Sequence, residues 1–351
     1  MNRRGFVPVR AAVLLTVLAL LASCATPQKG QVDMTASGSI VWPGPPEKER
    51  IKYLWSLSKL KADETPGTGL TDVLAGRSGE DVTDPQYSNT LLRPQGIYAD
   101  EKRLYIADPG AARVTVVDRQ SMDVLEIREA DGVSLEYPIS AVSGADGRIY
   151  VADPELKKVF VYTEGGKFVS SFEGAMERPT GLAVDRRTGV IYIVDTLGHC
   201  VYVYDSEGRR KGRIGKRGEG DGEFNFPSHA FVDQKGNLYV TDFLNFRVQI
   251  FSPDGRFAAK LGVLGDSYDS LEKPKGVAVD KEGHIYIVDA GKDMVKIFDR
   301  DGGLLLAFGE TGHRYGDFYL PTGIFIDHQD MIYVADTVNR RIQVFQFLGG
   351  E

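Results

Sequence analysis

From residue 94 to the C-terminus, apolar residues come in short runs separated by clusters of Gly, Asp, Asn and Lys. The runs arrive in sets. One set reads Gly181-Leu182-Ala183-Val184-Asp185, then Ile191-Tyr192-Ile193-Val194-Asp195, then Val201-Tyr202-Val203-Tyr204. Short runs rich in Val, Ile and Tyr and bounded by turn residues predict β-strands. A fourth run usually follows, as at Phe168–Phe172 and Phe257–Leu261. The same alternation appears once outside the sets, over residues 50–57. A helical spacing is found at Leu70, Val73 and Leu74, which predicts a short amphipathic turn over residues 69–76.

The sets recur six times, from Pro94, Pro138, Pro179, Pro227, Pro274 and Pro321, at spacings of 41 to 48 residues. A period in the forties with several short strands per unit predicts an all-β, six-bladed β-propeller. One unit cannot bury its own apolar face, so each must stack on its neighbours and the array closes into a ring. The last set stops at Gly350 without a fourth strand. The strand at residues 50–57 is expected to complete that blade and remove an exposed edge. The connection over residues 61–93 must then reach the innermost strand of the first blade. It is expected to cross the top face as a lid near His229 and the loop from Phe243 to Phe246.

The N-terminus follows a different logic. Arg3, Arg4 and Arg10 precede an apolar run over residues 11–22, too short for a comfortable membrane span. This is the pattern of a secretory signal. Leu21-Ala22-Ser23-Cys24 follows at once and resembles the bacterial lipobox. That resemblance implies a signal peptide over residues 1–23 and a lipidated, palmitate-type anchor on Cys24. Residues 24–49, with Trp42-Pro43-Gly44-Pro45-Pro46, are expected to form a tether, and residues 50–351 the propeller. Ala25 stands where an Asp would favour the inner membrane, so the outer membrane is the expected location. Each buried methylene contributes about 0.8 kcal/mol, which makes a multi-chain anchor effectively permanent. Loss of three arginines moves the formal charge from −7 to about −10. That excludes nucleic acid as an expected partner. Cys200 is the second of two cysteines, so no intramolecular disulfide is expected once Cys24 is lipidated.

The repeat itself reads Pro-x-Gly, a strand ending in Asp, Tyr-Val-x-Asp, then Asn-x-Arg before a third strand. With Gly-rich loops such as Gly218-Glu219-Gly220-Asp221-Gly222-Glu223-Phe224, it resembles the NHL repeat over roughly residues 50–351. The resemblance implies a propeller lipoprotein of the bacterial envelope, some relatives being associated with multihaem cytochromes. It does not fix function. No Cys-x-x-Cys-His occurs, so no haem is expected on this chain.

Asp108, Asp153, Asp195, Asp242, Asp289 and Asp336 end the second strands. They are expected to accept turn N–H groups and to pair with Arg113, Arg247 and Arg341. Tyr105, Tyr150, Tyr192, Tyr239, Tyr286 and Tyr333 recur at one position, which marks packing. His199, His229, His284, His313 and His328 show no close metal-ligand spacing, and no metal or other cofactor is expected. No catalytic elbow or phosphate-binding Gly-Lys-Ser/Thr occurs. The expected binding residues are those that depart from the repeat at the top face. Gln95, Thr180, Lys275 and Thr322 follow the prolines, and His229 replaces a Gly. Phe243, Leu244 and Phe246 make one loop apolar, while His199, Asp293 and Arg340 occupy equivalent loops. The leading reading is a monomeric, lipid-anchored binding or scaffolding protein whose partner is an envelope protein, peptide or polymer. The alternative is a metal-dependent lyase or hydrolase at the channel mouth, using His229, His199 and Asp293.

Overall fold

A computed structural model describes residues 28–29, 31–33, 39–60, 90–172, 174, 176–265 and 267–349. The expected signal peptide, Cys24 and most of the connection over residues 61–93, with its expected helical turn, lie outside the described residues. Blade three shows the common plan. Pro179–Asp185 is innermost, followed outward by Val190–Asp195, Cys200–Tyr204 and Arg210–Ile214, all antiparallel. Blades two, four and five repeat it from Ser140–Ser143, Pro227–Val232 and Pro274–Val279. Blade one runs outward from Gly96–Ala99.

Blade six is assembled from both ends of the chain. Pro321–Ile326, Met331–Asp336 and Arg341–Phe347 come from the C-terminal end, and Ile51–Lys59 supplies the outer strand. Its register against Arg341–Phe347 runs from Phe347 opposite Ile51 to Ile342 opposite Leu57. The expected closing strand is therefore present and two residues longer at its end. Stretches of the expected tether also lie against the ring. Gln28–Lys29 pairs with the outer strand of blade one, and Gln31–Asp33 and Val41–Trp42 pair with Ile51–Lys59. Trp42 packs on Phe308 and Phe345. Thr90 bridges back to Lys59, and the Leu91 N–H donates to the Ser58 carbonyl. The connection from residue 60 to residue 90 thus leaves and re-enters at one place on the rim of blade six.

The core lies between blades. Ile, Val, Tyr and Phe from facing sheets interdigitate, for example Phe345, Phe308, Phe318 and Tyr53 where blades five and six meet. Each inner strand packs on the next, and Pro321–Ile326 packs on Gly96–Ala99 to complete the circle.

Two polar latches hold the blades, one at each end of the second strand; the upper is present in all six blades and the lower in blades one, four, five and six. At the top, the aspartate ending that strand is fully buried in all six blades. It accepts N–H groups from the residues just before the blade's own proline. Asp108 takes those of Leu92 and Arg93 at 2.8 and 2.7 Å, and Asp195 those of Glu177 and Arg178 at 2.8 Å. Asp242 pairs with Arg247 at 2.8 Å and Asp336 with Arg341 at 2.7 Å. Arg113 lies 3.9 Å from Asp108 but gives its shorter contact, 2.7 Å, to Glu126. Blade five uses a partner outside the expected three: buried Lys296 on the third strand reaches Asp289 at 3.1 Å. At the bottom, tyrosine phenols donate to the aspartate ending the inner strand. Tyr105 meets Asp100 at 2.8 Å, Tyr286 meets Asp280 at 3.1 Å and Tyr333 meets Asp327 at 3.0 Å. In these blades the repeated tyrosines are thus hydrogen-bonded anchors as well as packing groups.

Two measurements follow. Deleting residues 50–57 leaves blade six with an unpaired edge; the shortened protein is expected to lose its single cooperative melting transition and to aggregate. A truncated protein that melts like its parent by circular dichroism would show that the ring closes otherwise. Arg341→Met strands Asp336 as a buried charge and is expected to cost about 3–5 kcal/mol in denaturant unfolding. A loss below about 1 kcal/mol, the range of an exposed ion pair, would contradict that role.

Candidate functional site

The inner strands enclose an axial channel of about 640 Å³. That volume is in the range of small-molecule sites. The strands run from the prolines at the top to the aspartates at the bottom, so each blade contributes to both ends. The walls are apolar, with Ile97, Leu182, Val277 and Ile324 below the mouth. Three rings then narrow the passage: Tyr98 lies 4.6 Å from Phe325, and Phe231 lies 5.8 Å from Phe325, between centroids. Below them, Arg186 donates to the Tyr98 hydroxyl at 3.1 Å, and the Ser143 hydroxyl donates to Asp100 at 2.8 Å.

Glycine after the proline lets neighbouring backbones meet at the axis. A Cβ on Gly323 would lie 2.4 Å from the Gln95 carbonyl oxygen, and one on Gly181 would lie 2.7 Å from that of Ser228. At these two boundaries only a residue without a side chain tolerates the approach. Blade four has His229 at this position, and its ring enters the mouth as its departure from the repeat predicts. Its Nδ1 is 3.0 Å from the Ser228 hydroxyl. Burial, followed by the nearby Lys275 charge, pulls its pKa from 6.5 down to about 3. The imidazole is therefore neutral at physiological pH.

Lys275, from the next blade, is half-buried beside it, with Nζ 4.2 Å from the centre of the Phe243 ring. Burial and then the Lys273 charge hold its ammonium below the usual lysine range. No carboxylate among the described residues forms an ion pair with it. Phe243 and Leu244 begin a single 3₁₀ turn, Phe243–Asn245, and both line the mouth.

Seven of the expected binding residues share this cavity: Gln95, Thr180, His229, Phe243, Leu244, Lys275 and Thr322. Their hydrogen bonds divide them. Thr180 Oγ1 donates to the Ser228 carbonyl at 3.0 Å, and Thr322 Oγ1 donates to the Gln95 carbonyl at 3.0 Å. Thr196 and Thr337 back them with bonds to Pro227 and Pro94. These hydroxyls lace one blade to the next around the collar. Gln95 Nε2 is given to the Tyr137 hydroxyl at 2.8 Å. The groups left facing the lumen concentrate where blades four and five meet.

The other four expected residues sit together in the fold's logic but away from the channel. His199, Phe246, Asp293 and Arg340 each precede a third strand, and all have φ between 49 and 56°. Ala112 and Lys157 hold the same left-handed conformation in blades one and two. It is a position of the turn, not a set of ligands. His199 Nδ1 accepts the Phe226 N–H at 3.2 Å, and Asp293 Oδ1 accepts the Leu320 N–H at 2.7 Å. Phe226 and Leu320 immediately precede Pro227 and Pro321 and are themselves left-handed. In blades four and six the buried aspartate takes only Asn225 or Tyr319, and the second N–H goes to the preceding blade. His199 and Asp293 are therefore staples between blades. Phe246 closes its turn, and Arg340 is exposed. Cys200 is fully buried, and burial pushes its thiol up.

Among the described residues, no three His, Cys, Asp or Glu side chains converge as a metal site would require. Sequence reasoning missed Phe226 and the lower ring of Tyr98, Phe231 and Phe325. The last was visible as aromatics at the fifth residue counted from the proline in three blades, where the others carry Ala or Val.

Comparison with known proteins supports the architecture. A family model described as a 6-bladed beta-propeller matches residues 183–259. No curated protein matches the chain in sequence. Among solved structures, a virginiamycin B lyase from Staphylococcus aureus is similar at 14% identity, with 74% of this chain and 97% of that chain covered and a TM-score of 0.55. A streptogramin B lyase covers 72% of this chain and 93% of its own at 12% identity and a TM-score of 0.55. An auxiliary nutrient binding protein from Bacteroides thetaiotaomicron VPI-5482 is similar at 14% identity, 73% and 69% coverage, and a TM-score of 0.58. At these identities the likeness is one of fold.

The depressed His229 pKa has a sign. Between about 3 and 6.5 the unfolded chain binds a proton that the folded one does not, so stability falls as pH drops through that window. His229→Gln is expected to flatten this part of the stability curve, and the His229 Cε1–H resonance is expected not to titrate between pH 7 and pH 5. Titration near pH 6.5 would refute the buried, neutral assignment.

Proposed function

We propose that this is a lipid-anchored binding protein of the bacterial envelope, held at the outer membrane through Cys24, whose top face engages an envelope protein or peptide. The observation that carries the reading is the distribution of exposed apolar side chains. Leu197, Leu244 and Val338 lie in loops after second strands. Val263, Leu264, Tyr268, Tyr319 and Leu320 lie in connections that lead to inner strands. Both kinds of loop open on the face that carries the channel mouth. Exposed apolar groups concentrated on one face of a rigid scaffold mark an interaction surface. A propeller supplies that scaffold, and the NHL-like repeat and the lipobox-like Leu21–Cys24 supply the compartment.

The lyases among the similar structures raise an enzyme as the second reading. It fits this chain less well. A metal-dependent lyase or hydrolase would draw on His229, His199 and Asp293, and the last two are engaged between blades. A stoichiometric transition metal in the purified protein, lost in His229→Ala, would reverse the preference.

Photo-crosslinking in cells tests the binding reading. A crosslinker at Leu264 or Tyr268 is expected to trap one envelope protein, while one at Lys235 on the opposite face is not. Absence of any adduct from the top face, or equal adducts from both faces, would count against it.

A further inference from the structure

The collar of the mouth is formed by the six residues that follow the blade prolines. Five are uncharged: Gln95, Ile139, Thr180, Ser228 and Thr322. The sixth is Lys275. Its ammonium stands half-buried over the Phe243 ring, beside the His229 imidazole, with no carboxylate partner among the described residues. Ammonium groups taken out of water without a counter-charge are costly, and a ring face offsets only part of that cost. The geometry asks for an anion from outside.

We propose that the channel mouth between blades four and five binds a small monocarboxylate with an apolar body. The carboxylate sits on Lys275 Nζ within reach of Ser228 and His229, and the body extends down the wall formed by Leu182, Val277 and Ile324. Charge count selects the class. A phosphate monoester carries nearly two charges and three acceptor oxygens, and is met by clustered Arg or by a nest of backbone N–H groups. This mouth offers one ammonium without a carboxylate partner among the described residues, a neutral imidazole and one hydroxyl; Arg178, the other cation lining it, is paired with Glu155 at 3.5 Å. A carboxylate carries one charge and two oxygens, and its pairing with an ammonium is a strong, charge-assisted hydrogen bond. Size selects the body. Below the collar the cavity of about 640 Å³ is walled by aliphatic side chains down to the ring of Phe325, Phe231 and Tyr98. An unbranched or aromatic body fills that space, whereas a small hydrophilic acid leaves the walls wet. The inference rests on the top face being the binding face.

Octanoate is the probe and 1-octanol, of equal chain length, its control. By calorimetry on the intact protein, octanoate is expected to bind at least about tenfold more tightly than octanol, the discrimination of one charge-assisted contact. Lys275→Met keeps the side-chain stem and is expected to abolish this preference while leaving octanol binding unchanged. Lys273→Met, removing an exposed lysine two residues away, is expected to leave octanoate binding within about twofold of the parent. Equal affinity for acid and alcohol, or binding of neither, overturns the proposal in the parent protein alone, whatever the folding of a variant. So does undiminished octanoate binding by Lys275→Met. Crosslinking from Leu264 and Tyr268 reads the partner surface separately. A failed octanoate test with intact crosslinks removes only the carboxylate site, and the reverse result removes only the protein partner.

Discussion

The buried aspartate at the end of each second strand is the constraint on which the ring depends. A propeller must turn the chain sharply twice at the top of every blade, once into the third strand and once from the previous blade into the inner strand. Both turns leave N–H groups that no strand can satisfy. One carboxylate serves both. Asp195 accepts from Glu177 and Arg178 on the incoming chain and from Gly198 in the following turn. Buried backbone donors must find acceptors, and a carboxylate has enough lone pairs for three. The carboxylate then needs its own charge balanced. Blades four and six use Arg247 and Arg341, and blade five uses Lys296. In blade three, where Cys200 occupies the Arg position, the donors to Asp195 among the described residues are the backbone N–H groups of Glu177, Arg178 and Gly198.

Where the incoming chain changes shape, the latch changes with it. Blades four and six are entered through Gly-rich connections whose Phe224 and Phe318 are fully buried. In both, the residue before the proline, Phe226 or Leu320, is left-handed, and its N–H does not go to the blade's own aspartate. His199 and Asp293 on the preceding blade collect it. A repeat that looks uniform in sequence is thus tied in two ways. The second adds a hydrogen bond from one blade to the next, in blade four at the same boundary where His229 lines the channel.

Much of this was legible from the chain. Periodicity alone predicted six blades, the inner strand of each and the completion of blade six by residues 50–57, because register and burial are dictated by the alternation of side chains. The mouth was legible too, since His229 and Lys275 break a repeat whose other members are small or neutral. The roles of His199, Asp293, Thr180 and Thr322 were not. Their neighbours in space lie 15 to 227 residues away, and the decisive fact for the first two is a left-handed backbone, φ near 50°, which His and Asp adopt more readily than most residues but which the sequence does not place at this turn. Lys296 was hidden for a different reason. It does the work of an arginine two positions upstream, and only the alternating pleat brings both to one carboxylate.

The division between lacing and open groups explains why binding chemistry is confined to one sector of a nearly symmetric ring. At the boundaries of blades three with four and six with one, hydroxyls of Thr180 and Thr322 close the collar onto the next backbone. At the boundary of four with five that role falls to Thr241, which reaches the Lys275 carbonyl from the second strand rather than the first. The collar position of blade four is thereby released from holding the ring, and Ser228 and His229 fill it with groups that face the lumen. Lys275 is anchored through its backbone while its side chain stays free over Phe243. A closed propeller resists change wherever a side chain ties blades together. Departures from the repeat accumulate where the tie has been handed to another residue, and that is the sector in which this chain has placed its only collar charge.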